Sequence, residues 1–102
     1  MTRRALFTPA AAQERRNAAL WYEARRPGLG AAVLQQIDLT VTRIERYPES
    51  YERIDARYRR APVDQFPYFV AYRVLPNAIR IIGVMPQPGD PALLSERLGG
   101  EA

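Results

Sequence analysis

Apolar side chains in the first part of the chain recur at the spacing of an α-helix. Thr8 and Pro9 form a typical helix start, with Thr8 as the N-cap and Pro9 in the first turn, where its missing N–H costs nothing. The helix is predicted to end near Arg25, because Pro27 cannot continue it and Gly28 suits a left-handed cap. The helical period predicts an inward face made of Ala11, Ala18, Trp21 and Tyr22.

The next segment carries a second helical stripe, which begins near Leu29 or Gly30 and ends at Tyr47-Pro48. Its apolar positions are spaced by four, four and three residues, with Leu34 beside them, and they are Val33, Ile37, Val41 and Ile44. Because the break between the two helices is so short, they are predicted to form an antiparallel hairpin.

Beyond Pro48 the apolar period becomes that of β-strands. Residues 68–74 alternate with the aromatic and β-branched bias of a strand, and residues 79–84 are apolar apart from Arg80, which favours a buried central strand. Pro76-Asn77 provides the turn between them. Weaker patterns predict strands at residues 3–7 and 57–63 and a loop at 51–56. A short helix is predicted at 92–98, with Asp90-Pro91 before it as the cap and proline of a helix start.

The predicted fold class is α+β: an N-terminal strand, an antiparallel helical hairpin packed on a small antiparallel sheet, and a short C-terminal helix. A chain of 102 residues, with 47% hydrophobic and 25% charged residues, is typical of one globular domain spanning residues 1–102. The N-terminus lacks the apolar core of a signal peptide, and no apolar run reaches membrane-spanning length. We therefore expect a cytoplasmic protein with no membrane partner.

The charged residues narrow the possible chemistry. The net charge is +4, all 15 basic residues are arginine, and the chain contains neither histidine nor cysteine. Without histidine the chain lacks the commonest general acid–base and the commonest metal ligand, so no metal and no cofactor are predicted. A basic chain of this size suits nucleic acid, a ribosome or an acidic protein as a partner.

Arginines and aromatic residues are interleaved in the predicted strands. If these strands pair as a meander, several guanidinium groups of the set Arg57, Arg59, Arg60, Arg73 and Arg80 can share one face. The adjacent Arg59 and Arg60 must point to opposite faces, and the pattern leaves open which way Arg80 points. Alternation puts Tyr68 and Tyr72 on one face and Phe69 on the other, and core is the preferred interpretation for at least one of these faces. Glu23 is expected to be solvated. The carboxylates form no recognisable acid–base pair, and no phosphate loop or nucleophile motif is present.

Several short motifs occur in the order of a known family. They are FTPAAAQE at 7–14, WYE at 21–23, PGLG at 27–30, YPESY at 47–51, RRAPVDQFPYFVAYRV at 59–74 and DPALLSERL at 90–98. On these motifs the chain resembles the ParE/RelE superfamily of toxins from bacterial type II toxin–antitoxin pairs, often described as plasmid-stabilisation proteins. The resemblance spans almost the whole chain and implies a helical hairpin on a small antiparallel sheet.

The resemblance implies two different activities. RelE-like members are ribosome-dependent mRNA endonucleases with basic residues on the sheet and a Tyr or His near the C-terminus, whereas ParE-like members poison DNA gyrase. In this chain Arg60 matches one basic position, but Pro62 and Phe69 occupy two others. After the last strand, Pro86 and Gly89 stand where many members carry His and Arg, while Asp90, Pro91 and Arg97 match the family.

These departures favour a ParE-like toxin that acts by binding and is neutralised by a cognate antitoxin. The predicted contacts with the target or antitoxin are Arg57, Arg60, Arg73, Arg80 and Arg97, and the aromatic residues predicted for an antitoxin groove or the core are Trp21, Tyr22, Tyr68 and Tyr72. By resemblance the target is DNA gyrase. Two alternatives stay open: an mRNA endonuclease acting on the ribosome, with a site built on Arg60, Arg80 and a tyrosine, and a degenerate toxin that only binds its antitoxin.

Overall fold

The computed structural model of the protein describes residues 3–87 and 91–101. Two helices pack on one face of a five-stranded sheet, and a third helix lies against the other face. The elements are β1 (Arg4–Phe7), α1 (Pro9–Arg25), α2 (Leu29–Arg46), β2 (Glu52–Arg53), β3 (Tyr58–Pro62), β4 (Tyr68–Val74), β5 (Ala78–Pro86) and α3 (Pro91–Glu101). This confirms the predicted α+β class and the helical hairpin.

The sheet has the strand order β1-β5-β4-β3-β2. Strands β3, β4 and β5 form the expected antiparallel meander, but β1 pairs parallel to β5, which makes the sheet mixed rather than wholly antiparallel. The expected loop at 51–56 contains the two-residue strand β2, which pairs antiparallel with β3. Neither feature was visible in the sequence, because the partner of β1 lies far along the chain and β2, with two residues, is too short to show an alternating pattern.

The larger core lies between the helical hairpin and the sheet. On α1, Ala11 and Ala18 are buried and Tyr22 is packed against the core, but Trp21 is 48% exposed, so its predicted inward position was wrong. At 3.6 residues per turn, Tyr22 lies about 20° from Ala11 around the helix and Trp21 about 80° away. The stripe predicted for α2 is confirmed, because its four apolar residues are all buried, namely Val33, Ile37, Val41 and Ile44.

The tight connection between α1 and α2 explains two of the sequence motifs. The Glu23 carboxylate accepts hydrogen bonds from the backbone N–H groups of Gly28 (3.1 Å) and Gly30 (2.9 Å). It thereby caps α2, whose N-cap Gly28 has φ 94° and offers no side chain. Glu23 is exposed, as expected, yet it is engaged by the backbone. WYE and PGLG therefore form one structural unit.

A second, smaller core lies on the other face of the sheet. Buried residues from β3, β4 and β5 form it beneath α3, and they are Tyr58, Phe69, Ala71 and Ile82. The α3 side chains Leu94 and Leu98 pack over them. Strand β4 is therefore buried on both faces. Helix α3 is longer than the predicted 92–98, and Asp90, its predicted cap, lies outside the described residues.

Candidate functional site

Arginines are gathered on the sheet face that is opposite the helical hairpin. In the strand register Arg73 is the direct partner of Tyr58 on β3 and of Arg80 on β5, so all three side chains share that face. Arg60 lies on the same face, two residues along β3 from Tyr58. The register thus brings Arg60, Arg73 and Arg80 to one face, whereas the sequence predicted only that several arginines could share a face.

A fourth arginine joins them through the parallel pairing of β1. Leu6 is the register partner of Arg80, and Arg4 lies two residues before Leu6, on the same face and exposed. Arg4 was missed from the sequence, because its position depends on the β1–β5 pairing. We refer to Arg4, Arg60, Arg73 and Arg80 as the arginine stripe.

Arg60 is held in place by two contacts. Its Nε lies 2.6 Å from the Glu52 carboxylate on β2, in a partly exposed ion pair. Its guanidinium also lies over the Phe69 ring, 5.4 Å from the ring centroid, which is within the range of a cation–π contact. Arg60 therefore covers one side of the second core while keeping part of its charge exposed.

Arg59 and Arg57, which are close to Arg60 in sequence, lie outside the arginine stripe. Arg59 points to the helical side, as predicted, and donates hydrogen bonds to the backbone carbonyls of Glu49 (3.1 Å) and Tyr51 (2.8 Å). Arg57 precedes β3 and is exposed, and its backbone N–H donates to Asp55. Arg57 is therefore close to the stripe in sequence but does not belong to a strand.

Arg97, another predicted contact residue, belongs to a different arrangement at the open edge of β5. Strand β1 pairs only with the first half of β5, which leaves the second half as an edge. There the guanidinium of Arg97 lies 2.6 Å from the carboxylate of Glu14 and also donates to the Ile82 carbonyl (3.0 Å), while Glu14 accepts from the Val84 N–H (3.0 Å). The Glu14–Arg97 pair thus satisfies backbone groups of β5 that no neighbouring strand pairs with. Glu14 was missed because its partners are distant in sequence.

The predicted aromatic residues meet at one end of the molecule, except for Tyr72. The Tyr22 ring makes edge contacts with Phe66 (4.9 Å between centroids), Tyr68 (6.2 Å) and Trp21 (4.8 Å). The WYE and FPY motifs are thus packed on each other. An open groove of about 390 Å³ runs beside this cluster, between α1 and the end of β5, and Trp21, Tyr22, Tyr68 and Pro86 line it.

Tyr72 lies in the larger core and not in the groove. It is fully buried, and its hydroxyl donates a 2.6 Å hydrogen bond to the Pro48 carbonyl. Burial raises the pKa of Tyr72 to about 12, with Arg59 opposing the increase and Tyr51 adding to it. The side chain is thus a neutral anchor for the loop after α2, on the sheet face opposite the arginine stripe.

The raised pKa predicts that stability falls at alkaline pH. Because the pKa of Tyr72 is about 12 in the folded state and about 10 in the unfolded state, its contribution is complete below pH 10 and disappears as the pH rises through 12. Tyr72→Phe should cost about 1–2 kcal/mol near neutral pH and reduce this alkaline loss. Urea unfolding as a function of pH tests this, with the exposed Tyr47→Phe as control. An unchanged alkaline loss in Tyr72→Phe would contradict the assignment.

Within residues 3–87 and 91–101, no helix combines the length and apolar character needed to cross a membrane. The same residues contain no cluster of three or more carboxylates placed to hold a metal ion. Of the positions that the resemblance singles out, Pro62 and Pro86 are the exposed last residues of β3 and β5, whereas Gly89 lies outside the described residues.

The fold and the stripe define a small basic α+β protein that presents an arginine-bearing sheet face. Two solved structures share this fold. The chromosomal ParDE toxin–antitoxin system from P. aeruginosa matches with TM-score 0.74 and 17% identity, covering 83% of this chain and 96% of that one. An arginine-to-alanine double mutant of the E. coli toxin RelE in the free state matches with TM-score 0.74 and 18% identity over 100% of both chains.

The sequence itself identifies the family. The family described as the ParE toxin of the type II toxin–antitoxin system, parDE, matches residues 5–91, which is most of the chain. The chain therefore belongs to the ParE toxin family and is a toxin of a type II toxin–antitoxin system. A comparison with curated proteins gave no match. The matched region runs from β1 to the first residue of α3.

Proposed function

We propose that this toxin acts by binding its target, DNA gyrase, rather than by cleaving RNA. The observation that carries the proposal is the burial of Phe69, which is 1% exposed beneath α3. By resemblance, the members of the superfamily that cleave RNA carry an arginine at this position. Here the position belongs to the second core and presents no charge to a substrate.

The remaining residues of the face support the same conclusion. Cleavage of RNA by its 2′-OH needs a base, an acid for the leaving oxygen and positive charge on the phosphate. The arginine stripe supplies positive charge, but guanidinium groups keep their protons in proteins. Tyr72 lies on the opposite face of the sheet, and Tyr58, on the face of the stripe, is only 3% exposed. Neither is placed to reach a substrate on the stripe.

We also propose that a cognate antitoxin neutralises the toxin. The family and the ParDE system that shares the fold support such a partner. The groove beside Trp21, Tyr22 and Tyr68 offers an apolar surface for an antitoxin segment, with Trp21 as an exposed aromatic anchor. This surface lies at the α1 side of the molecule, away from the arginine stripe.

The test is to induce the toxin in a bacterial host without its antitoxin. We expect growth arrest, induction of the DNA-damage response and accumulation of gyrase–DNA cleavage complexes. Co-expression of the protein encoded by the neighbouring reading frame should restore growth. Rapid cleavage of translated mRNA without DNA damage would contradict the proposal and support the endonuclease alternative. Normal growth would support a toxin that has kept only antitoxin binding.

A further inference from the structure

Helix α3 meets the sheet through one narrow face. Of residues 91–100 none is buried, and the three that are partly buried are Leu94, Arg97 and Leu98. Spacings of three and four residues place them on the same side of the helix. Leu94 and Leu98 pack on the second core, whereas Leu93 on the outer side is 63% exposed. The docked surface of α3 is therefore small.

The sequence of α3 does little to keep it helical on its own. The helix has 11 residues and includes Gly99 and Gly100 near its end. Isolated helices shorter than about 12 to 15 residues are marginal in water, and glycine is the poorest helix former after proline. The sheet beneath does not depend on α3 for its pairing, because β4 is bonded to β3 on one side and to β5 on the other. Loss of α3 therefore leaves the strand pairs intact.

A charge-assisted pair ties α3 to α1 across the edge of β5, and we refer to Glu14 and Arg97 as the latch. One carboxylate oxygen of Glu14 accepts from the Val84 N–H (3.0 Å) and from Arg97 (3.1 Å), and the other accepts from Arg97 at 2.6 Å. Arg97 also donates to the Ile82 carbonyl at 3.0 Å. Hydrogen bonds between ionised groups are about twice as strong as neutral ones. The latch therefore contributes a large share of the attachment of a helix with so small a docked face.

Gly83 provides the space through which the latch closes. A Cβ at this position would lie 3.3 Å from a guanidinium nitrogen of Arg97 and 2.8 Å from the end of the Met85 side chain. A larger residue would push Arg97 or Met85 aside. The absence of a side chain at this point of β5 therefore lets Arg97 cross the strand and reach Glu14.

We propose that α3 is a releasable cover: it undocks from the second core while the rest of the protein stays folded, and the latch sets how often this happens. Segments with few buried contacts open locally at a lower free energy than the whole fold. Undocking exposes the buried side chains of Tyr58, Phe69 and Ile82, an apolar surface that the docked helix hides. The proposal goes beyond inhibition of gyrase and does not depend on it, because it concerns the toxin alone.

The chain has no cysteine, so a single introduced thiol reports on one position. Ala71→Cys puts the thiol in the second core and Val33→Cys puts it in the larger core, and both parent side chains are 0% exposed. The rate of reaction with a chromogenic thiol reagent is measured on the purified full-length toxin from zero to low urea concentration. We expect Ala71→Cys to react at least about tenfold faster, with a weaker dependence on urea, because undocking exposes less surface than unfolding. Ile82→Cys in the second core repeats the measurement if Ala71→Cys does not fold.

The latch is tested in the Ala71→Cys protein. Glu14→Gln and Arg97→Gln each remove one charge from the pair, and each should speed the reaction about tenfold. The matched control is Arg15→Gln, which removes the 2.7 Å ion pair between Arg15 on α1 and Asp38 on α2. Because that pair stays intact when α3 undocks, the control should change the rate by less than about twofold.

The outcomes are distinct. Equal rates for Ala71→Cys and Val33→Cys, with the same dependence on urea, would show that α3 leaves only on global unfolding and would overturn the proposal. Unchanged rates in both latch variants, or an equal acceleration in Arg15→Gln, would overturn it as well. Faster reaction of Ala71→Cys, accelerated by the latch variants and not by the control, supports it. Growth arrest with gyrase cleavage complexes is read out separately, so either proposal can fail alone.

Discussion

Phe69→Ala is expected to lower the free energy of unfolding by about 3–5 kcal/mol, the usual cost of removing a fully buried phenyl ring. Phe69 is 1% exposed, lies between β3 and β5 on the sheet, and is covered by α3 on one side and the guanidinium of Arg60 on another. The alanine would leave a cavity beneath α3. Urea unfolding followed by circular dichroism gives the measurement, and Phe69→Leu is the milder variant if the alanine protein does not fold.

The matched control for this prediction is Leu6→Ala on the same face of the sheet. Leu6 is 58% exposed, so its truncation should change the free energy of unfolding by about 0.5 kcal/mol or less. Similar losses in both variants would contradict the second core. The result also bears on function, because a costly Phe69→Ala means that this position serves the fold and not a substrate.

Gly30→Ala is expected to destabilise the protein by about 1–3 kcal/mol, although alanine is the better helix former. A Cβ at Gly30 would lie 2.8 Å from the backbone oxygen of Ala19 and 2.9 Å from the Glu23 carboxylate. The two helices would have to move apart, and the Glu23 cap on α2 would be displaced. The midpoint of urea unfolding measures the effect.

Gly99→Ala in α3 makes the same substitution in a different environment. A Cβ there meets nothing within 4 Å, so helix propensity alone predicts a gain of up to about 1 kcal/mol. The two alanine variants should therefore move the midpoint in opposite directions. A stabilised Gly30→Ala would mean that the helices are not in close contact at this point.

Local patterns predicted most of the fold because burial repeats at the period of each element. The spacing of Val33, Ile37 and Ile44 determined the buried face of α2, and the alternation around Tyr68 and Tyr72 separated the two faces of β4. The prediction for Trp21 was wrong because Trp21 lies about 80° around α1 from the buried Ala11, whereas Tyr22 lies about 20° away and takes the inward position.

The candidate site was only partly predictable. The sequence predicted that a meander would bring several arginines to one face, and the strand register decided that these are Arg60, Arg73 and Arg80. Arg97 was grouped with them by sequence resemblance, but it pairs with Glu14 at the edge of β5. Arg4 joins the stripe only because β1 lies parallel to β5. Whether any of these arginines contacts a partner stays a prediction.

The amino-acid sequence by itself determined the types of the longer elements, the helical hairpin, the apolar face of α2 and the family, because each is encoded in neighbouring residues or in a contiguous motif. The tertiary structure alone decided that Phe69 is core, that Glu23 caps α2, that Glu14 and Arg97 close an edge, and that four arginines share one face of the sheet. These properties depend on contacts between residues far apart in the chain, and such contacts exist only once the strands have paired in one register.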